Sequence, residues 1–451
     1  MGADDAPLTS GPEGDERAGA RKLAAVADEA RAREPEDAGR AARPVEALDH
    51  TDGDPVAEAR PRQELQEPEG AEADQRREDR TAHECRCRLR PYAQILAWGL
   101  VTRILVFATA ALVVRLDRPE GVLHPPLVAR PFGLLTTWDG RWYRIVAERG
   151  YLLVPGRQSD PAFFPLLPIL LSTLHALGLS LAWAGLVLSN LAFLAGLIVF
   201  YELGRLLLPE ADARRAACYV ALFPVGFVFS MIYPEALAFT ALALACLLAA
   251  RGRWLLSALA IAAATLTRPE GVFAALPIAL LAARAWPALR LSERSRAVAA
   301  VLAGPAALAA YPLYLWWSIG DPRAWQQAER DWGRTFRFDG WVRALQHLST
   351  HPQADNLALV GAVFCGVYLV ALVVAWRAGI PFAWIAFGAL LVVLPPFSGS
   401  FTADGRFGLL ALPAYWGLAR LGRSRLVDWA IRLVSPALLA AGVVSLVFWF
   451  P

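Results

Sequence analysis

Repeated apolar runs of about 17–25 residues decide what this chain can fold into. A helix of that length crosses ~30 Å of hydrocarbon, and lipid offers no partner to an unpaired backbone, so such runs become helices. Eleven spans are expected, at 93–116, 181–207, 214–232, 235–250, 254–268, 270–286, 297–319, 356–376, 381–396, 406–421 and 428–450. The fold class is therefore an all-α polytopic membrane protein.

A further apolar run, 163–179, is long enough to span but reads as a surface-lying element because of charge parity. With it outside the count, Arg205/Arg214/Arg215, Arg251/Arg253, Arg284/Arg290/Arg294/Arg296, Arg377 and Arg420/Arg423/Arg425 all fall on the cytoplasmic side. If it crossed, every cluster would move outside. The N-terminus is then cytoplasmic, and the loops rich in chemistry, 117–162, 230–235, 268–270, 320–355 and 398–406, share the external face.

Residues 1–91 read as a separate cytoplasmic tail. They are crowded with Ala, Glu, Asp, Arg, Pro and Gly and nearly free of aromatics, so no core offsets the entropy of ordering them. No apolar stretch near Met1 predicts a cleaved leader. Of the five cysteines, Cys218, Cys246 and Cys365 fall in apolar runs, and Cys85 and Cys87 lack the second pair a zinc site requires. The net charge of +3 gives no reason to expect nucleic acid.

The stretch 137–168 follows the first span. Trp138, Trp142, Ile145 and Val146 share one helical face with Arg141, Arg144 and Glu148 opposite, the pattern of an interfacial helix. Asp139 opens that helix, either as a cap or as a general base at the membrane surface. Asp160, before Pro161, reads as a cap. Glu235 stands at the outer end of a span, where an ionisable group is costly enough to imply function. Arg268 and Arg406 present fixed cations at two other span ends, and a guanidinium meets phosphate bidentately. Arg103, inside the first span, needs an acidic partner or a cavity. The loop 320–355 interleaves Trp325, Trp332 and Trp341 with Arg330, Arg334 and Arg337, which suits sugar and phosphate but also an aromatic belt. His347 and His351 have metal-ligand spacing without a third ligand, so neither metal nor cofactor is expected.

Trp138-Asp139-Gly140, Ala147-Glu148-Arg149-Gly150-Tyr151 and Ala162-Phe163-Phe164-Pro165 together resemble the first-loop signature of the PIG-V-type mannosyltransferases. These add the second mannose in GPI-anchor assembly and have bacterial relatives. Ser230-x-x-Tyr233-x-Glu235-Ala236-Leu237, Arg251-Gly252-Arg253 and Thr267-Arg268-x-x-Gly271 continue the resemblance in the family's order. It covers roughly residues 95–290, the later third matching only in hydropathy. Pro234 stands where relatives have Ser, and Pro269-Glu270 replaces Ser-Asn, departures that bear on the acceptor more than on the reaction class.

The resemblance implies a glycosyltransferase of the GT-C superfamily in the plasma membrane, spanning residues 92–451. It would take a sugar, usually mannose, from a polyprenyl-phosphate donor on the external face and pass it to a lipid-linked or glycan acceptor with inversion. On that reading Asp139 is the base and Glu235 orients the acceptor or a partner arginine. Arg268 and Arg406 hold the donor phosphate, and Trp138, Arg141 and Tyr233 contact substrate. The rival readings are a transporter or flippase of lipid-linked sugars, a protein O-mannosyltransferase-like enzyme, and a scaffold acting through its tail.

Overall fold

The computed structural model describes residues 69–116, 131–350 and 356–447. The chain divides at Pro91/Tyr92 into two units. Of the expected unstructured tail, 1–68 lies outside the described residues, whereas the stretch from Glu69 is helical. Arg, Glu and Ala are its commonest residues, and their helix propensity offsets the lack of apolar residues.

Sixteen helices follow one another among the described residues, without strands. They are α1 (Glu69–Leu116), α2 (Asp139–Arg149), α3 (Leu166–Ala176), α4 (Leu181–Arg205), α5 (Glu210–Leu222), α6 (Glu235–Ala250), α7 (Trp254–Thr267) and α8 (Ala275–Ala285), then α9 (Leu291–Ile319), α10 (Ala324–Asp331), α11 (Gly340–Thr350), α12 (Asn356–Arg377), α13 (Phe382–Val393), α14 (Asp404–Phe407), α15 (Leu412–Leu421) and α16 (Arg425–Ser445).

Among the described residues, six helical stretches are long and apolar enough to cross a membrane, and a seventh is gained if one bent pair counts as a span. That is a multi-pass architecture with fewer uninterrupted crossings than the eleven expected. Proline explains part of the difference. Pro224 ends α5 after Leu222 and starts a 3-10 turn, Pro224–Ser230, that meets α6 at 96°. α7, α13 and α15 are likewise short. α3 has 11 residues, about 16 Å of helix, too short to cross.

α4, α6, α7 and α9 pack in succession, and α12 packs on α15. Their shared core is aromatic, with Phe193 stacked on Phe229 and Phe200 on Trp416. Arg103 is buried in this core and finds neither an acid nor the large cavity. It donates to the Gly226 carbonyl at 2.9 Å and to the Ser230 hydroxyl at 3.0 Å, with its guanidinium 4.4 Å from the centre of the Phe193 ring. It thus serves a backbone carbonyl in the 3-10 turn at the broken helix, which lipid could not satisfy, together with a side-chain hydroxyl. The break aims Glu235 at the site, and the short turn between α6 and α7 returns the chain so that Arg268 meets it.

Candidate active site

Four separate segments bring acids and arginines together at one end of these helices. Asp139 is the first residue of α2. The preceding Trp138 sits at φ 57°, the only non-glycine residue with positive φ among the described residues. Such a conformation costs about 1–3 kcal/mol and persists only where the surroundings impose it. Here Trp138 Nε1 donates to the Leu446 carbonyl at 3.1 Å, and the Asp139 N–H donates to the Tyr233 hydroxyl at 3.3 Å.

The Asp139 side chain does not cap its helix. Its Oδ2 accepts from Arg406 Nη1 at 2.5 Å, across 267 residues of sequence. Arg406 Nε lies 3.3 Å from Glu235 Oε1, the same oxygen that pairs with Arg268 Nη1. Arg268 Nε in turn donates to Glu270 at 3.2 Å. Asp139, Arg406, Glu235, Arg268 and Glu270 therefore form one alternating chain, three carboxylates to two guanidiniums. Aromatic rings line it, with Arg268 over Phe407 at 4.4 Å and Arg406 over Tyr233 at 5.3 Å. Each carboxylate at its heart keeps one oxygen, Asp139 Oδ1 and Glu235 Oε2, buried and unbonded.

The chain forms part of the wall of a cavity of about 1310 Å³. Its lining combines Trp142, Glu329, Trp332 and Arg334 with the acids, and also includes the apolar Phe273, Leu390, Leu391, Leu394, Leu446 and Val447. Two hydrogen bonds tie the loop after α2 to the end of α10. Trp332 Nε1 donates to the Ser159 carbonyl at 3.0 Å, and the Gly156 N–H donates to Asp331 at 3.2 Å. The Asp160 carboxylate accepts the Leu152 N–H at 2.7 Å, pinning the loop rather than capping a helix. Burial raises the pKa values of Asp160 and Glu329 above the ordinary carboxylate range, making both weaker acids.

Asp139, Glu235, Arg268 and Arg406 come together in the structure, but the arginines are not free cations. Both are already paired with carboxylates. Trp138 and the exposed Arg141 lie on the cavity wall; Tyr233 is fully buried and acts on Asp139 and Arg406 from behind. The apolar face of α2 is partly covered by protein: Val146 is buried and Trp142 stacks on Phe163 with ring centres 5.8 Å apart, whereas Trp138 is 36% exposed. Sequence reasoning missed Glu270 as the end of the ionic chain, although it stands two residues from Arg268. It also missed Glu329 and Phe407. Among the described residues no cluster of three or more His, Cys, Asp or Glu could hold a metal, and His351 lies outside them.

No family model and no curated protein matches the chain. Among solved structures it is similar to the oligosaccharyltransferase of Archaeoglobus fulgidus in its apo form. The identity is 14% and the TM-score 0.40, over 77% of this chain and 56% of that one. It is also similar to the same organism's oligosaccharyltransferase AglB in complex with an inhibitory peptide and a dolichol-phosphate, at 14% identity and TM-score 0.36, over 78% and 55%. The chain thus spans little more than half the length of these proteins.

Proposed function

We propose that this protein is a membrane glycosyltransferase of the GT-C kind, residues 92–451 forming the catalytic unit. In this reading it moves a sugar, mannose in the first instance, from a polyprenyl-phosphate donor to a hydroxyl of a lipid-linked or glycan acceptor on the external face of the plasma membrane. The observation that carries the reading is Asp139. One of its carboxylate oxygens is clamped by Arg406 while the other is unbonded, on a cavity lined by both ionic and apolar side chains.

A carboxylate held by one oxygen is oriented, and its second oxygen can take the acceptor proton as the hydroxyl attacks the anomeric carbon. The bond from that carbon to the donor phosphate breaks on the opposite face, so the configuration inverts. The leaving group is a phosphate monoester on a lipid. Arg141 at the wall and the guanidinium faces of Arg268 and Arg406 supply positive potential for its developing charge. Glu235 holds both arginines by one oxygen, which makes it the positioning centre of the ionic chain. The apolar side chains of the lining suit an isoprenoid chain, and Trp142, Phe163 and Trp332 suit a sugar ring.

The test is donor choice by the purified protein in liposomes. The reading predicts transfer from radiolabelled polyprenyl-phosphate mannose and none from nucleotide-linked mannose. Transfer from the nucleotide sugar alone would refute it. Movement of intact labelled lipid-linked sugar across the bilayer, without transfer, would favour the transporter.

A further inference from the structure

A second cavity, of about 590 Å³, lies at the opposite end of α16 from the active-site cavity. Asp428 and Arg432, in the first turns of α16, line it, whereas Leu446, just past the end of the same helix, lines the active-site cavity. Between them lie about 21–27 Å of helix, the rise from Arg432 or Asp428 to Leu446. α1 contributes Trp98 and Val101 to the second cavity, and α5 contributes Arg214 and Arg215.

Its charges do not balance. Asp428 faces three arginines and is already engaged. It accepts from the Tyr219 hydroxyl at 2.6 Å and from Arg432 Nε at 3.0 Å, and lies 3.9 Å from Arg215 Nε. The adjoining acid, Asp212, is shared among Arg215, Arg420 and Arg423. Positive charge is thus left over in a pocket whose floor is helix. Arg432 packs on Trp98, 5.6 Å from the ring centre.

The surroundings of the cavity are apolar. Val101 and Ile104 on α1, and Trp429 and Leu433 on α16, are large exposed hydrophobics, and both helices are long and apolar enough to cross a membrane. A cation-rich pocket at the end of two spans, opening between apolar faces, fits a phosphate whose remaining bulk is hydrocarbon. A free inorganic anion would use the arginines and leave those faces without a role.

We propose that this cavity binds the phosphodiester headgroup of an anionic membrane lipid, with Arg214 and Arg432 as its ligands and the acyl chains lying between α1 and α16. The site is separate from the ionic chain at the other end of α16, so the proposal does not depend on the catalytic reading.

Native mass spectrometry of the full-length protein, released from nanodiscs of phosphatidylcholine with graded phosphatidylglycerol, tests it. The wild type should retain phosphatidylglycerol in preference to phosphatidylcholine. Arg214→Gln and Arg432→Gln should each weaken that retention about tenfold, the scale of one charge-assisted contact. Arg425→Gln, at the same end but outside the cavity lining, should leave it unchanged. Arg432→Lys guards against a folding defect, because it keeps the charge and should recover part of the retention. Unchanged retention in both glutamine variants, or an equal loss in Arg425→Gln, overturns the proposal. So does binding of millimolar inorganic phosphate that displaces the lipid.

Discussion

Replacing Arg406 with glutamine removes the central link of the ionic chain. In the wild type its guanidinium reaches Asp139 at 2.5 Å and Glu235 at 3.3 Å, and all three side chains are at most 5% exposed. Arg406→Gln leaves two carboxylates buried, with Glu235 served by Arg268 alone and Asp139 by none of the chain's cations. Loss of one partner of a buried pair costs about 3–5 kcal/mol, because the remaining charge keeps its desolvation penalty. Asp139→Asn by itself removes a charge and should cost less, about 1–3 kcal/mol, the range for a disturbed buried hydrogen bond. Combining the two removes the stranded charge, so the double variant should be more stable than the sum of the singles predicts. A coupling energy of about 1–3 kcal/mol is expected for groups in direct contact. The assay is unfolding of the purified protein in mixed micelles of rising denaturing-detergent content, followed by circular dichroism. Additivity within about 0.5 kcal/mol would mean that the two residues do not share their energy, and the ionic chain would not be a unit.

Three other outcomes follow from particular residues. Asp404 is buried with neither carboxylate oxygen hydrogen-bonded, and burial pushes its pKa up to about 8, against ~3.9 in an unfolded chain. A raised folded value favours folding below pH ~4, and that contribution is lost as pH rises through about 8. Asp404→Asn should therefore melt above wild type at pH 9 and lose this advantage toward pH 4; a gap independent of pH would contradict the assignment. A Cβ on Gly271 would stand 2.5 Å from the backbone of Ala264 and Thr265. Gly271→Ala should thus displace the turn carrying Arg268 and Glu270 and cost about 1–3 kcal/mol, measured as a lowered melting temperature. Trp332→Ala, which strips a ring from the cavity lining, should raise the acceptor KM about tenfold with kcat nearly kept, since it removes binding present in both ground and transition states.

The four charges at the centre were legible for two reasons: Glu235, Arg268 and Arg406 stand at expected span ends, where charge is costly, and Asp139 opens an amphipathic helix in the first loop. Which charge meets which was not legible. Asp139 and Arg406 are 267 residues apart, and no local spacing encodes such a contact. Arg268 and Arg406 looked like free phosphate ligands because a sequence shows positive charge but not the carboxylate that meets it. The amphipathic pattern of α2 was real, yet periodicity does not distinguish a face turned to lipid from one partly covered by Phe163 and Trp332. The span count suffered in the same way. Hydropathy reads 214–232 as one crossing, whereas Pro224 divides it into a helix and a 3-10 turn. Arg103 needed the structure too, since its partners are a carbonyl in the turn at that break and a side-chain hydroxyl.

The most direct test of the central claim is sugar transfer from radiolabelled polyprenyl-phosphate mannose by the purified protein in liposomes, wild type against Asp139→Asn. Circular dichroism of the variant verifies its fold. A general base held by Arg406 predicts transfer by the wild type and a loss of at least about 100-fold in the variant. A folded Asp139→Asn protein that transfers mannose at a rate near wild type would contradict the account and leave Asp139 a structural partner of Arg406.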